Sequence, residues 1–127
     1  MMLVPRSKVA VTLPLPPSVN NLFATVGGKR VRSKAYARWI KNVSGLLLEL
    51  ERPQGIPVVV HVDVFGTLNR ARDLDNMLKP IGDALVTCNV LPGDSVKHVV
   101  GWRILYWPSE EDAEPGLTVR LYPDERS

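Results

Sequence analysis

The stretch Val58-Val59-Val60-His61-Val62-Asp63-Val64-Phe65 carries valine at 58, 60, 62 and 64. Residues two apart share one face of a strand, and β-branched side chains suit that pleated surface. The spacing predicts a strand here, and the rest of the fold reads outward from it.

Upstream, Pro53 and Gly55 separate this strand from a helix. Tyr36, Ile40, Val43, Leu47 and Leu50 recur at helical spacing and form one apolar stripe, with Ser33 as N-cap. Residues 18–32, with Asn20-Asn21 and Gly27-Gly28, read as a loop. Before it, Val9, Val11 and Leu13 alternate along a strand over Lys8–Leu13, which the proline run from Pro14 stops. Residues 1–7 read as a loose N-terminal segment.

Downstream, Gly66–Arg72 is a short polar connection. A second helix carries the stripe Leu74, Leu78, Ile81, Leu85 and Cys88, capped by Asp73 or Asp75. Pro80 removes a backbone bond if that helix begins at Asn76, so either its first turn is loose or the helix kinks. Pro92-Gly93 marks a turn. Val96–Tyr106 reads as a strand with Val100, Trp102, Ile104 and Tyr106 on one face, and Leu117, Val119 and Leu121 mark a last strand. The acid-rich turn Pro108–Gly116 joins these two as a predicted hairpin. The order is β-α-β-α-β-β. It predicts an α+β fold, a mixed sheet of about four strands with two helices on one face.

A chain of 127 residues suits one domain, and 45% hydrophobic with 23% charged residues suits a packed core. No apolar run approaches the ~20 residues of a membrane span. The N-terminal stretch lacks a signal-peptide apolar region, and the lone Cys88 fits a reducing compartment, so a cytoplasmic protein without membrane partners is expected. Two histidines and one cysteine argue against a Cys/His zinc site within one chain. Both histidines, His61 and His98, lie on expected strands and read as structural or surface residues. No Gly-Lys-Ser/Thr follows Gly27-Gly28, so no nucleotide cofactor is expected.

Charge is unevenly divided. Residues 1–60 hold nine Lys/Arg against two Asp/Glu, and residues 61–127 hold seven against eleven. A basic half beside an acidic half points toward nucleic acid. The basic density peaks between Lys29 and Lys41, with six cations and no acid. Lys29, Arg30, Arg32, Lys34 and Arg38 are candidate phosphate contacts, together with Asn20, Arg70 and Arg72.

The acids cluster as Arg70-Ala71-Arg72-Asp73-Leu74-Asp75-Asn76-Met77-Leu78-Lys79. Asp75, Lys79 and Asp83 share a helix face, Asp73 precedes it, and Asp94 opens the next strand. Carboxylates converging from the ends of adjacent elements suit a hard divalent ion, and Mg²⁺ takes oxygen ligands. A nearby ammonium such as Lys79 can stabilise charge on a phosphodiester. On spacing alone, the same acids also read as helix-start residues favoured by the macrodipole, with Lys79 as an ordinary i,i+4 partner.

Three ordered segments resemble the RusA family of endodeoxyribonucleases, the Holliday-junction resolvases of phages and prophages. They are Leu13-Pro14-Leu15-Pro16-Pro17-Ser18-Val19-Asn20, Arg72-Asp73-Leu74-Asp75-Asn76 with Lys79 and Asp83-Ala84-Leu85, and Gly93-Asp94-Ser95-Val96. The resemblance spans roughly Val9 to Tyr122. It implies that Asp73, Asp75 and Asp94 hold a catalytic Mg²⁺, for which Mn²⁺ can substitute, and that Lys79 is the catalytic lysine. Asp83 takes a supporting role. It also implies a homodimer that cuts four-way junctions by paired nicks, with branched DNA, especially four-way junctions, as its partner, in a bacterial or phage setting. One departure is visible: the family often has two adjacent acids before the long strand, and the first position here is Gly93. A non-catalytic junction-binding protein and a nuclease for other branched DNA are the alternative readings at this point.

Overall fold

The computed structural model describes residues 8–18, 21–51, 57–68, 73–93, 95–109 and 111–126. Residues 1–7, Asn20, Pro53, Gly55, Arg70, Arg72 and Asp94, on which sequence expectations fell, lie outside the described residues. The elements are β1 (Ala10–Leu13), β2 (Phe23–Val26), β3 (Lys29–Arg32), α1 (Lys34–Leu47), β4 (Val58–Phe65), a 3₁₀ turn (Leu74–Met77), α2 (Leu78–Thr87), β5 (Val99–Trp107) and β6 (Gly116–Pro123).

The valine alternation of β4 is realised in full. Val58, Val60, Val62 and Val64 are buried, while Val59, His61, Asp63 and Phe65 are half-buried on the other face. β4 lies inside a mixed four-stranded sheet of order β1-β6-β4-β5. It pairs in parallel with β5 and antiparallel with β6. The α+β fold class with two helices against a mixed sheet is therefore as expected. Tyr36, Trp39, Ile40, Val43 and Leu47 of α1 and Ile81, Ala84 and Leu85 of α2 join the β4 valines in one core.

The expected hairpin between the last two strands does not form, because β4 sits between them. A parallel β4–β5 pair needs a crossover, and α2 supplies it. The link after β5 must then pass over the end of β4 to reach β6. It does so at Gly66. There the Thr67 amide donates to Ala113 O at 2.9 Å, and the Tyr106 hydroxyl donates to Gly66 O at 2.9 Å.

The segment 18–32, expected to be a loop, contains a β-hairpin. β2 and β3 pair antiparallel with Val26 opposite Lys29. Gly27 and Gly28 both have positive φ (58° and 78°), which a two-residue turn of the type matching strand twist requires. The strands were not legible by alternation because the ribbon buries almost none of its side chains; all of β3 is exposed.

Ser33 starts α1 as expected. Its Oγ accepts from the Tyr36 amide at 3.1 Å and donates to Asn21 O at 2.5 Å, while its amide donates to Leu22 O at 2.8 Å. One residue thus caps the helix and ties down the base of the hairpin. Ser33→Ala is expected to destabilise the protein by about 1 kcal/mol or slightly more, read as a lower urea midpoint with unchanged slope. α1 ends earlier than its apolar stripe. Leu50 is buried beyond the helix, in a bridge with Lys8. Val9 is exposed rather than sharing the buried face of Val11 and Leu13.

Pro80 is accommodated by a loose first turn, not by a kink. The 3₁₀ turn covers Leu74–Met77, and α2 proper begins at Leu78. Pro80 then falls in the first turn of α2, where an amide hydrogen has no intrahelical partner to lose. The change of helix type also rotates the stripe. Met77, Pro80, Ile81, Ala84 and Leu85 are buried, whereas Leu74, Leu78 and Cys88 are only half-buried. Val96 is exposed, β5 begins at Val99, and Tyr106 at its far end is exposed.

Candidate active site

The acid pair stands at the 3₁₀ turn that leads into α2. Asp73 has extended backbone angles and precedes the 3₁₀ turn. Its carbonyl accepts from the Asn76 amide at 3.2 Å, and its Oδ2 accepts from Asn76 Nδ2 at 3.4 Å. Asp75 lies inside the turn. Both carboxylates are exposed, and no described cation stands within salt-bridge distance of either. Two acids with no described counter-ion, held two residues apart by a tight turn, are oxygen donors of the kind Mg²⁺ takes, and that ion needs only one or two protein carboxylates. Among the described residues, no group of three His, Cys, Asp or Glu gathers at one point. The expected third ligand, Asp94, lies outside the described residues.

Asp75 does not share a continuous α-helix with Lys79, since the 3₁₀ turn intervenes. Lys79 and Asp83 do share one, and they are joined. Lys79 Nζ stands 3.0 Å from Asp83 Oδ1. The other oxygen, Asp83 Oδ2, accepts from the Tyr36 hydroxyl at 2.5 Å. The Lys79 side chain is 59% exposed and that of Asp83 15%. Tyr36 is fully buried. Burial first, and then the bond to Asp83, push the Tyr36 phenol well above its ordinary range, so it stays a proton donor.

One turn further along α2, Thr87 Oγ1 accepts from an Arg32 guanidinium nitrogen at 3.1 Å. Residues 79, 83 and 87 thus form a line along one edge of α2, about 6 Å per step. Lys79 ends that line toward the acid pair, and Arg32 ends it toward the hairpin.

The expected phosphate contacts that are described fall on two elements. Lys29, Arg30 and Arg32 are on β3, and Lys34 and Arg38 are on the first turns of α1; all five are exposed. Two of the arginines are also held in place. Arg30 lies over the Phe23 ring at 3.9 Å and Arg32 over the Tyr36 ring at 5.4 Å. Trp39, which interleaves with these cations in sequence, is buried and donates from Nε1 to Pro14 O at 2.9 Å, so it supports the core.

No family model matches the chain. Three comparisons with curated proteins are informative. The crossover junction endodeoxyribonuclease RusA of Escherichia coli strain K12 is 30% identical over 117 residues, covering 87% of this chain and 92% of the relative. The RusA of E. coli O1:K1 matches to the same extent, and that of Shigella sonnei is 28% identical over 112 residues. The chain belongs to the RusA family.

The departure at Gly93 has a local structural correlate. A methyl group on Gly93 would stand 3.0 Å from Cδ2 of His98. The imidazole fills the side on which an acid at this position would emerge. His98 is also fixed by its own backbone, its amide donating to Ser95 O at 2.9 Å and its carbonyl accepting from Val58 at 2.8 Å.

Sequence reasoning missed Tyr36 and Thr87 as partners of the site. Tyr36 was read only as a member of the α1 stripe. The available signal was a hydroxyl on an otherwise apolar stripe, because a buried phenol needs a hydrogen-bond partner.

Proposed function

We propose that this RusA-family chain is a Mg²⁺-dependent endodeoxyribonuclease that resolves four-way DNA junctions by paired nicks, in recombination and repair. The observation that carries the reading is the match to crossover junction endodeoxyribonucleases over 87% of the chain; Asp73 and Asp75 at a tight turn and Lys79 on the helix after it support it. Asp73, Asp75 and Asp94 would hold the ion. When bound, Mg²⁺ supplies Lewis-acid chemistry at the scissile phosphate and makes an attacking water more acidic. Lys79 places an ammonium beside that phosphate, with two of its three donors left over after the bond to Asp83. A homodimer fits the two-fold symmetry of a junction, one site per strand cut.

The hairpin and α1 provide the grip. Lys29, Arg30, Arg32, Lys34 and Arg38 meet phosphate without a competing acid between residues 21 and 48. Asn20, Arg70 and Arg72 complete the proposed contact set. Lys29 makes the cleanest probe, because it is exposed and has no described ion pair. Lys29→Ala is expected to weaken junction binding and to flatten the plot of log K against log salt by about 0.9, as loss of one phosphate contact does. An unchanged slope in fluorescence anisotropy titrations would remove Lys29 from the interface.

The deciding experiment incubates the purified protein with a labelled four-way junction, a flap and a linear duplex at one fixed salt concentration, with and without Mg²⁺. Symmetric nicks in the junction alone, only with Mg²⁺, are expected. Equal cutting of all three substrates would make this a less selective nuclease. Binding without cutting would make it a junction-binding protein.

A further inference from the structure

An exposed lysine on a helix is normally a poorly aimed group. Its pairing with an acid four residues later contributes little and leaves the chain free among several rotamers. Asp83 differs from such a partner in two respects. Its side chain is mostly buried, and its second oxygen is already taken by a hydroxyl from another helix, Tyr36 of α1. A carboxylate held at one oxygen presents the other in a fixed direction. Tyr36 is fixed in turn. Its ring is fully buried, meets Phe23 edge-on at 5.7 Å and stacks with Trp39 at 6.3 Å. Trp39 is anchored to Pro14 O. A series of immobilised groups therefore ends at the ammonium of Lys79.

We propose that Tyr36 and Asp83 are positioning residues that aim the Lys79 ammonium at the scissile phosphate. The proposal rests on the nuclease reading of the site. It differs from a structural account, in which Asp83 merely satisfies the buried phenol. In that account Tyr36→Phe and Asp83→Asn change stability and leave turnover alone. Under positioning, loss of aim lowers turnover, because small displacements of a reacting group are costly.

The test measures cleavage of a saturating four-way junction in Mg²⁺ by the full chain and by Tyr36→Phe, Asp83→Asn, Lys79→Ala and Tyr36→Phe/Lys79→Ala. Junction binding is measured in EDTA, and folding by thermal melting. Tyr36→Phe keeps the ring and its packing. It is expected to lower kcat about 10-fold with KM and binding unchanged, and Asp83→Asn to lower it more. In the Lys79→Ala background, Tyr36→Phe is expected to cost nothing further, since the group it aims is gone. Wild-type kcat in folded Tyr36→Phe and Asp83→Asn, or a full additional loss in the double variant, would overturn the proposal. A second readout is independent of cleavage. The mobility of the Lys79 side chain is followed by NMR of ¹³C-methylated lysines. Restricted motion in the parent chain, released in Tyr36→Phe, supports positioning; equal mobility in both refutes it. A parent chain that leaves the junction uncut with Lys79 restricted would therefore defeat the nuclease reading and not the positioning.

Discussion

Asp75→Asn is expected to abolish junction cleavage while the protein still folds and binds junctions at least as tightly as the parent chain. The substitution keeps size and removes one charge. Asp75 is exposed in the 3₁₀ turn, and its side chain makes no described hydrogen bond or ion pair, so the turn does not depend on it. The melting temperature should therefore stay within about 1–2 °C, as for a surface change away from a cap or the core. Cleavage should fall by roughly 10³-fold or more, since a Lewis acid's charge stabilisation is worth several kcal/mol at the transition state. Binding in EDTA should hold or tighten, because one of the carboxylates that repel phosphate is gone. Quantitative denaturing gels and anisotropy on the same preparation read both quantities. Cleavage at the parent rate would remove Asp75 from the site and with it the reading of the turn.

The fold was legible wherever the sheet buries one face and leaves the other half-covered. β4 announced itself because Val58, Val60, Val62 and Val64 all turn inward. α1 was legible for the same reason, together with its Ser33 cap. The pairing order was not legible. Alternation states which residues face inward, and it says nothing of which strand lies beside which; β5 and β6 are consecutive yet flank β4. The β2–β3 hairpin was hidden for the opposite reason. Its side chains face water, so the only trace was Gly27-Gly28, whose positive φ angles close the turn. The stripe of α2 was displaced because a 3₁₀ turn has about three residues per turn, so counting at helical spacing from Leu74 loses phase.

For the candidate site, the residue types and their spacing could be read from the chain, and their arrangement could not. The spacing Asp73, Asp75, Lys79 and Asp83 reads directly from the chain, and the resemblance gave it a chemical meaning. The hydrogen bond from Tyr36 to Asp83 joins residues 47 positions apart. No local pattern encodes it, since it arises from the packing of α1 against α2. The same holds for Arg32 and Thr87.

The largest expected loss of stability comes from Gly66. Its φ is +89°, a conformation that side-chain-bearing residues rarely adopt. A Cβ at this position would lie 2.5 Å from Glu114 O and 2.6 Å from Pro115 Cα, inside the backbone that crosses the end of β4. Neither atom can turn aside as a flexible side chain would, because Thr67 is bonded to Ala113 and Gly66 O to Tyr106 at the same crossing. Gly66→Ala is therefore expected to cost about 3 kcal/mol or more, combining an unfavourable φ with a steric overlap. Two companion substitutions separate those causes. Asn tolerates positive φ, so Gly27→Asn, with φ +58° and open space around it, is expected to be nearly neutral. Gly66→Asn should remain strongly destabilising, because the overlap persists when the φ penalty is eased. Urea denaturation of the three variants measures this directly. Near-parent stability of Gly66→Asn would mean that the crossing yields and that its backbone neighbours do not fix the close approach at Gly66.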